Sequence, residues 1–379
     1  MIYLDNSATT RTLPAAADTA MKYMTECFFN PAGAYAPAAE AEKSMNEARA
    51  RLAAALHAQS EEIIYTSGGT ESNNMAILGT TKAMRNVGRV IRSSVEHPSV
   101  YETVGGLSGR CEVVDAPVDE KGCVDIQRLE TLITSDTGLV SIMHVNNETG
   151  AINDIPAIYK MLKKISPQTL LHVDGVQAFL KTTLDSRYYD LYSISGHKFH
   201  GPKGVGALYV KKGTRFLGGQ TGGGQERNLR SGTNNMPGIM GMDAAVTDYL
   251  KNRDAYIASM WKCKRRLADD LLRIRDVYVN GPAIEEGAPH ILNISFMGVR
   301  GEVLLHALEE KEIYVSTGSA CSAHKKGKNR ILTAMGIKGE RQDGAIRFSF
   351  CPANTEKEMD LTAETIESIL ELLRKYQRR

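Results

Sequence analysis

The amino-acid sequence predicts an α/β fold with a mostly parallel sheet, joined to a smaller α+β domain. Between about residue 40 and residue 250, short apolar runs alternate with segments of helical periodicity, as expected for strands buried on both faces of a sheet. From about residue 245 the pattern changes to a long charged helix followed by well-separated strands. The composition, 42% hydrophobic and 24% charged residues, is that of an ordinary globular protein.

Six apolar runs define the strands that we expect in the first region. In chain order they span residues 62–66, 90–91, 139–143, 170–173, 191–194 and 206–210. Helical segments separate most of these runs, which favours βαβ units and therefore parallel pairing. The ligand site of such a sheet lies at the carboxyl ends of its strands, so the residues that follow each run are the informative ones.

The second region combines helices and strands in a different order. We expect a charged helix over residues 261–275, strands at 291–296 and 346–350, and a terminal helix over 356–376. On this basis the chain divides into a large domain at 15–245 and a small domain formed by 1–14 and 246–379. Pro237 and Gly238 mark the region where the chain crosses between them.

The charge balance and the cysteine pattern exclude several classes of function. There are 46 lysines and arginines against 44 aspartates and glutamates, so nothing in the net charge of +2 indicates a nucleic-acid or membrane-surface partner. No apolar run approaches the ~20 residues that span a bilayer, and the first residues lack the pattern of a signal peptide, so we expect a cytoplasmic protein. Six scattered cysteines without a Cys-x-x-Cys pair predict neither a disulfide framework nor a zinc site, and no metal is expected.

Polar residues follow two of the predicted strands, and the first group indicates an anion site. Residues 66–73, Thr-Ser-Gly-Gly-Thr-Glu-Ser-Asn, form a glycine-rich turn that leads into a helix. Its backbone N–H groups and the helix dipole would hold a phosphate, with the Thr70 hydroxyl as a further donor. The alternative is a capped helix without a ligand. Asn146 and Asn147 bring amide groups to another strand end, where a simple turn is the alternative role.

An aspartate and a lysine follow two further strands. Asp174 ends a buried run and needs a partner, which either a helix cap or the protonated ring nitrogen of a cofactor would supply. Lys198 lies 24 residues further on, flanked by Ser195, His197 and glycines, and is a candidate for a Schiff-base lysine, although most lysines are solvated surface residues. A phosphate site, a pyridinium partner and an imine-forming amine together match pyridoxal 5′-phosphate.

Over almost its whole length the chain resembles the cysteine desulfurases of the class V aminotransferase family, the NifS and IscS-like enzymes. The resemblance is carried, in order, by residues 3–10, 66–74, 96–98, 144–150, 172–177, 195–204, 222–233, 315–322 and 346–349. It implies fold type I of the pyridoxal-phosphate-dependent transferases, with a seven-stranded, mostly parallel sheet in the large domain. It also implies that the small domain carries the catalytic cysteine.

The resemblance implies roles for individual residues. Lys198 would form the imine with pyridoxal 5′-phosphate, Asp174 would pair with the pyridine nitrogen, and His97 would stack on the ring and carry protons. Gln177 would contact the phenolic oxygen, and Asn147 the cofactor or the substrate. The phosphate would be bound by Gly69, Thr70, Ser195, His197 and, from the second subunit of a homodimer, Thr233.

Two further residues define the reaction that the resemblance implies. Arg347 would bind the α-carboxylate of L-cysteine through its planar guanidinium, a surface ion pair being the alternative. Cys321, in the small and then basic segment 316–328, matches the family's nucleophile, whereas a typical cysteine is a small core residue. L-Cysteine would become L-alanine, leaving a persulfide on Cys321 for a sulfur-acceptor protein such as an iron–sulfur scaffold, a tRNA-thiolation protein or a cofactor-biosynthesis carrier.

Three other functions share parts of this pattern. A selenocysteine lyase or a class V aminotransferase would use the same cofactor-binding residues, although Cys321 argues against transamination. A non-catalytic sulfur-relay or assembly partner would have kept the fold and lost the chemistry. The presence of the lysine, aspartate, histidine, arginine and cysteine together argues against this last function.

Overall fold

The structure, a computed structural model, describes residues 1–84, 87–318 and 329–377. The strands within these ranges are β1 (Ile2–Tyr3), β2 (Ile63–Thr66), β3 (Arg89–Ser93), β4 (Glu112–Ala116), β5 (Thr137–Met143), β6 (Leu170–Asp174), β7 (Leu191–Ser195), β8 (Gly206–Val210), β9 (Val277–Val279), β10 (Ile291–Phe296), β11 (Ile313–Tyr314) and β12 (Ala345–Ser349). All six apolar runs of the first region form strands, as predicted.

The helices pack around these strands. They are α1 (Pro14–Thr25), α2 (Ala36–Ala55), α3 (Gly69–Ala83), α4 (Pro98–Gly105), α5 (Ile126–Leu132), α6 (Ile155–Ile165), α7 (Met236–Leu271), α8 (Gly301–Glu309), α9 (Arg330–Ala334), α10 (Glu340–Asp343) and α11 (Glu356–Gln377). No helix among the described residues is long and apolar enough to cross a membrane.

The largest sheet has seven strands in the order β2-β8-β7-β6-β5-β3-β4. Strand β8 runs antiparallel to both of its neighbours, and the other pairs are parallel. Apolar side chains alternate between the two faces: Val140 and Leu171 pack toward the side of α2 and α7, while Leu139 and Leu191 pack toward α3 and α4. Because both faces are covered, the central strands read as continuous apolar runs, and the mostly parallel α/β fold is confirmed.

A second hydrophobic core lies around a three-stranded antiparallel sheet of order β12-β10-β9. The C-terminal half of α7, α8 and α11 pack on it, and β1 joins this region by pairing in parallel with β11. Helix α7 begins at Met236 rather than near Trp261, because Pro237 occupies the first helical turn, where a missing N–H costs nothing. We propose the large and small domains as the sequence divides them, with the boundary at 245 inside this continuous helix.

Candidate active site

A cavity of about 300 Å³ lies at the carboxyl ends of the parallel strands. Ten of the residues proposed from the sequence line it: Gly69, Thr70, His97, Asn147, Asp174, Gln177, Ser195, His197, Lys198 and Arg347. A larger cavity of about 860 Å³ lies at the opposite ends of these strands and is lined by none of these residues. The residues proposed from the sequence therefore mark the smaller cavity as the candidate site, at the carboxyl ends of the strands, where ligands of such sheets bind.

The first turn of α3 forms an anion cradle on one side of the cavity. Gly68, the residue that precedes α3, has a φ of +147° and no side chain with which to cap the helix, so it leaves the N–H groups of the first turn available. A β-carbon at Gly69 would come within 2.7 Å of the Val176 side chain, so only glycine lets the turn approach so closely. Ser195, at the end of β7, lies beside this turn: its Cβ would be 3.5 Å from a β-carbon at Gly69.

Asp174 ends β6 and is buried at 4% exposure. Its Oδ2 accepts a hydrogen bond from Asn73 Nδ2 at 2.8 Å, and its Oδ1 accepts one from the backbone N–H of Val176 at 3.0 Å. Both of these partners are neutral donors, so neither of them pairs the Asp174 side chain with a positive charge. Asn73 was not singled out from the sequence; its position in the second turn of α3, facing the sheet, is what brings it to the site.

Lys198 lies in a short 3₁₀ turn directly after β7. Its Nζ donates hydrogen bonds to the carbonyl oxygens of Ser7 at 2.5 Å and Ala8 at 2.9 Å, in the segment that follows β1. The neighbouring His197 ring is 3.1 Å from the Thr9 hydroxyl. Burial, reinforced by the charge of Lys198, lowers the pKa of His197 to about 4, so this imidazole is neutral near pH 7.

His97 caps the N-terminus of α4 at the edge of the cavity. Its Nδ1 accepts the backbone N–H of Ser99 at 3.1 Å, so a neutral ring carries its proton on Nε2. Burial and, less strongly, the charge of Lys198 lower the pKa of His97, while Asp174 opposes this shift. The ring is therefore neutral near pH 7, and its Nε2–H is the group that can donate a proton or a hydrogen bond.

Arg347, on β12, brings the small domain to the cavity. Its guanidinium donates to Asp5 Oδ1 at 2.7 Å and to the carbonyl oxygen of Asn147 at 2.9 Å, while its Nε has no hydrogen-bond partner among the residues that the structure describes. Within the described chain, Asn147 Oδ1 and Gln177 Oε1 are likewise buried without a partner. Unsatisfied buried polar atoms that converge on one cavity are what a polar ligand would satisfy.

Two of the proposed residues remain to be accounted for. Thr233 is exposed and lies outside it. Cys321 falls within 319–328, outside the residues that the structure describes. Ser316 and Gly318, which precede that segment, do line the cavity.

Comparison with known proteins agrees with this geometry. The family profile described as aminotransferase class-V matches residues 2–361. A cysteine desulfurase IscS from Methanosarcina thermophila is 39% identical over 377 residues, which cover 98% of this chain and 93% of that relative. A cysteine desulfurase from Nostoc sp. is 38% identical over 378 residues, covering 99% of this chain and 94% of that one.

Solved structures show the same similarity. A NifS-like protein superposes with a TM-score of 0.92 at 37% identity, covering 98% of this chain and 99% of that one. A structure titled SspA in complex with cysteine gives a TM-score of 0.82 at 29% identity, covering 94% of this chain and 100% of that one. The chain therefore belongs to the class-V aminotransferase family.

Proposed function

We propose that this protein is a pyridoxal-phosphate-dependent cysteine desulfurase. The observation that carries the proposal is a single cavity that joins an uncapped helix N-terminus, a buried carboxylate, a lysine amine and an arginine. The full-length relatives named cysteine desulfurases support the same function. These four groups match, respectively, the phosphate, the ring nitrogen and the aldehyde of the cofactor, and the carboxylate of an amino acid.

The residues fit pyridoxal 5′-phosphate. The first turn of α3, with Thr70, Ser195 and His197 nearby, would hold the phosphate, and Asp174 would hold the ring nitrogen protonated. The unpartnered Oε1 of Gln177 and Oδ1 of Asn147 would each gain a hydrogen bond. When bound, the cofactor supplies an aldehyde that forms an imine with amines and a ring that accepts electrons.

Lys198 and His97 are the residues that we propose to move protons. Lys198 Nζ would take the proton from the substrate α-carbon when the amine is neutral, and the hydrogen bonds to Ser7 and Ala8 hold this amine in place. His97, with its Nδ1 engaged by the Ser99 N–H and its proton on Nε2, would donate that proton toward the substrate and regain one from solvent. Arg347 would orient the substrate carboxylate by bidentate hydrogen bonding, in which its Nε contributes a donor that has no partner in the described part of the chain.

Cys321 is the proposed nucleophile. Its thiolate would attack the sulfur of L-cysteine; the carbon–sulfur bond breaks, a sulfur–sulfur bond forms, and the remaining three-carbon fragment is protonated and leaves as L-alanine. We also propose a homodimer, in which Thr233 contributes to the phosphate site of the second subunit, and a sulfur-acceptor protein that takes the persulfide sulfur. The exposed position of Thr233, away from the cavity of its own chain, supports the dimer.

The test compares the wild type with Cys321→Ala after loading both with pyridoxal 5′-phosphate. Absorbance of the bound cofactor, and alanine and sulfide released from L-cysteine with a thiol reductant, are measured. We expect both proteins to bind the cofactor and the wild type alone to form equal amounts of alanine and sulfide. Equal activity on L-cysteine in both proteins would rule out Cys321 as the nucleophile, and activity on selenocysteine alone would favour a lyase.

A further inference from the structure

A buried glutamate joins the two described residues that flank the segment carrying Cys321. Glu148, on the turn after β5, is 6% exposed and lines the cavity. Its Oε2 accepts a hydrogen bond from Asn329 Nδ2 at 3.2 Å. Gly318 packs directly against the same carboxylate, although 318 and 329 are separated by ten residues. The carboxylate is therefore the meeting point of both flanks.

The contact with Gly318 admits no side chain. Gly318 has a φ of +70°, and a β-carbon there would overlap Glu148 Oε2 and lie 3.0 Å from Asn329 Nδ2. The left-handed backbone and the close approach therefore both require glycine. Glycine at this position is explained by the carboxylate that it must approach.

Each flank is also attached to a different part of the protein. On one side, Ser316 exchanges backbone hydrogen bonds with Arg347, of 3.1 and 2.6 Å. On the other, Asn329 caps α9 by accepting the N–H of Leu332 at 3.1 Å. Glu148 thus links the strand of the proposed carboxylate-binding arginine to the helix on the far side of the segment.

The charge environment is consistent with a carboxyl group held by contacts rather than by a formal ion pair. Burial raises the pKa of Glu148, and the charge of Arg347 only partly offsets this effect. Asn147, the preceding residue, accepts from Arg347 through its carbonyl oxygen at 2.9 Å. In this turn Asn147 therefore contacts Arg347. The next residue, Glu148, contacts both Gly318 and Asn329.

We propose that Glu148 is a positioning residue that fixes Gly318 and Asn329 beside Arg347, and that the step of the reaction that requires Cys321 depends on these contacts. This inference rests on the proposed desulfurase function. It predicts that removing the carboxylate impairs the step that requires Cys321, while binding of the cofactor and of L-cysteine is retained. A displacement of about 1 Å at a reacting group lowers a rate on the order of 100-fold.

The test uses cofactor-loaded Glu148→Ala and Gly318→Ala, with Gly336→Ala as the matched control. Gly336 has a φ of +81°, and no atom of a described residue would lie within 4 Å of a β-carbon there, so alanine brings the same backbone strain without the overlap. We expect Glu148→Ala and Gly318→Ala to lower kcat for alanine formation about 10- to 100-fold, with KM within about threefold of the wild type. Gly336→Ala should retain the wild-type kcat, and Glu148→Gln, which keeps an oxygen acceptor, should lose less than Glu148→Ala.

Two readouts separate positioning from a general structural effect. The change in cofactor absorbance on adding L-cysteine should persist in every variant, because substrate binding does not depend on the flanks. The double variant Glu148→Ala/Gly318→Ala should lose no more than Glu148→Ala alone, since the overlap disappears with the carboxylate.

Three results would overturn the inference: wild-type kcat in Glu148→Ala, loss of the absorbance change together with activity, or losses that multiply in the double variant. Failure of the proposed function itself is a different result, because the wild type would then form no alanine from L-cysteine.

Discussion

Replacing Arg49 with alanine should destabilise the protein far more than replacing its neighbour Arg51 on the same helix. Arg49 forms a bidentate ion pair with Glu226, with N···O distances of 2.6 and 2.8 Å. The two side chains are only 6% and 2% exposed. The pair connects α2 to the turn that precedes the exposed Thr233.

The size of the effect follows from burial. Removing one partner of a buried pair leaves an uncompensated charge and costs about 3–5 kcal/mol. Glu226 also accepts from the backbone N–H of Tyr65 at 3.0 Å and from Asn234 Nδ2 at 3.1 Å, so we expect the lower end, about 3 kcal/mol. The pair also holds residues 226–228 in the left-handed region, with φ values of +48°, +59° and +64°, which cost roughly 1–2 kcal/mol each.

Chemical denaturation of the cofactor-loaded protein, followed by circular dichroism, measures the difference. Arg51 makes a similar bidentate contact with Asp243, but its side chain is 44% exposed, so Arg51→Ala should cost at most about 1 kcal/mol. Equal destabilisation by the two substitutions would refute the reasoning, because burial is the main difference between the pairs.

Three further predictions concern the cavity and its surroundings. Burial raises the pKa of Glu96 to about 8, so the folded protein keeps a proton that the unfolded chain loses near the ordinary pKa of 4.5. The contribution of this group to the free energy of unfolding therefore falls as the pH rises from 4.5 to 8. Glu96→Gln should flatten this pH dependence of stability, as measured by denaturation. Asp174→Asn keeps the shape of the side chain but removes its charge. It should weaken the binding of pyridoxal 5′-phosphate about 10- to 100-fold, which corresponds to the free energy of one charge-assisted hydrogen bond. An absorbance titration measures this affinity. Lys198→Ala should abolish alanine formation, and it should also abolish the covalent attachment of the cofactor that borohydride reduction produces in the wild type. Cofactor still attached covalently in this variant would contradict the assigned role.

The strands that the sequence predicted are those whose side chains are buried on both faces of the sheet. Strand β4 was missed because it lies at the edge, where Glu112 and Asp115 are exposed and interrupt the apolar pattern. The start of α7 was missed because Pro237 and Gly238 look like a break, whereas in the structure they occupy its first turn. Local pattern does not distinguish an edge strand or an N-terminal proline from a loop.

The candidate site shows the same limit. Asp174 and Lys198 were identifiable because each follows a buried strand, and parallel strands end at one edge. Asp5, which pairs with Arg347, was not, because 342 positions separate the two residues. The bridge between Asp5 and Ser349 of β12 brings them together. Contacts of this kind arise from tertiary structure and leave no local signal.

The most direct test of the account is the mass of the Cys321 peptide after the cofactor-loaded enzyme reacts with L-cysteine and is alkylated without reductant. We predict one additional sulfur atom on Cys321, in an amount equal to the alanine released in the first turnover. Alanine formation with the added sulfur on another cysteine, or on none, would contradict the proposed mechanism.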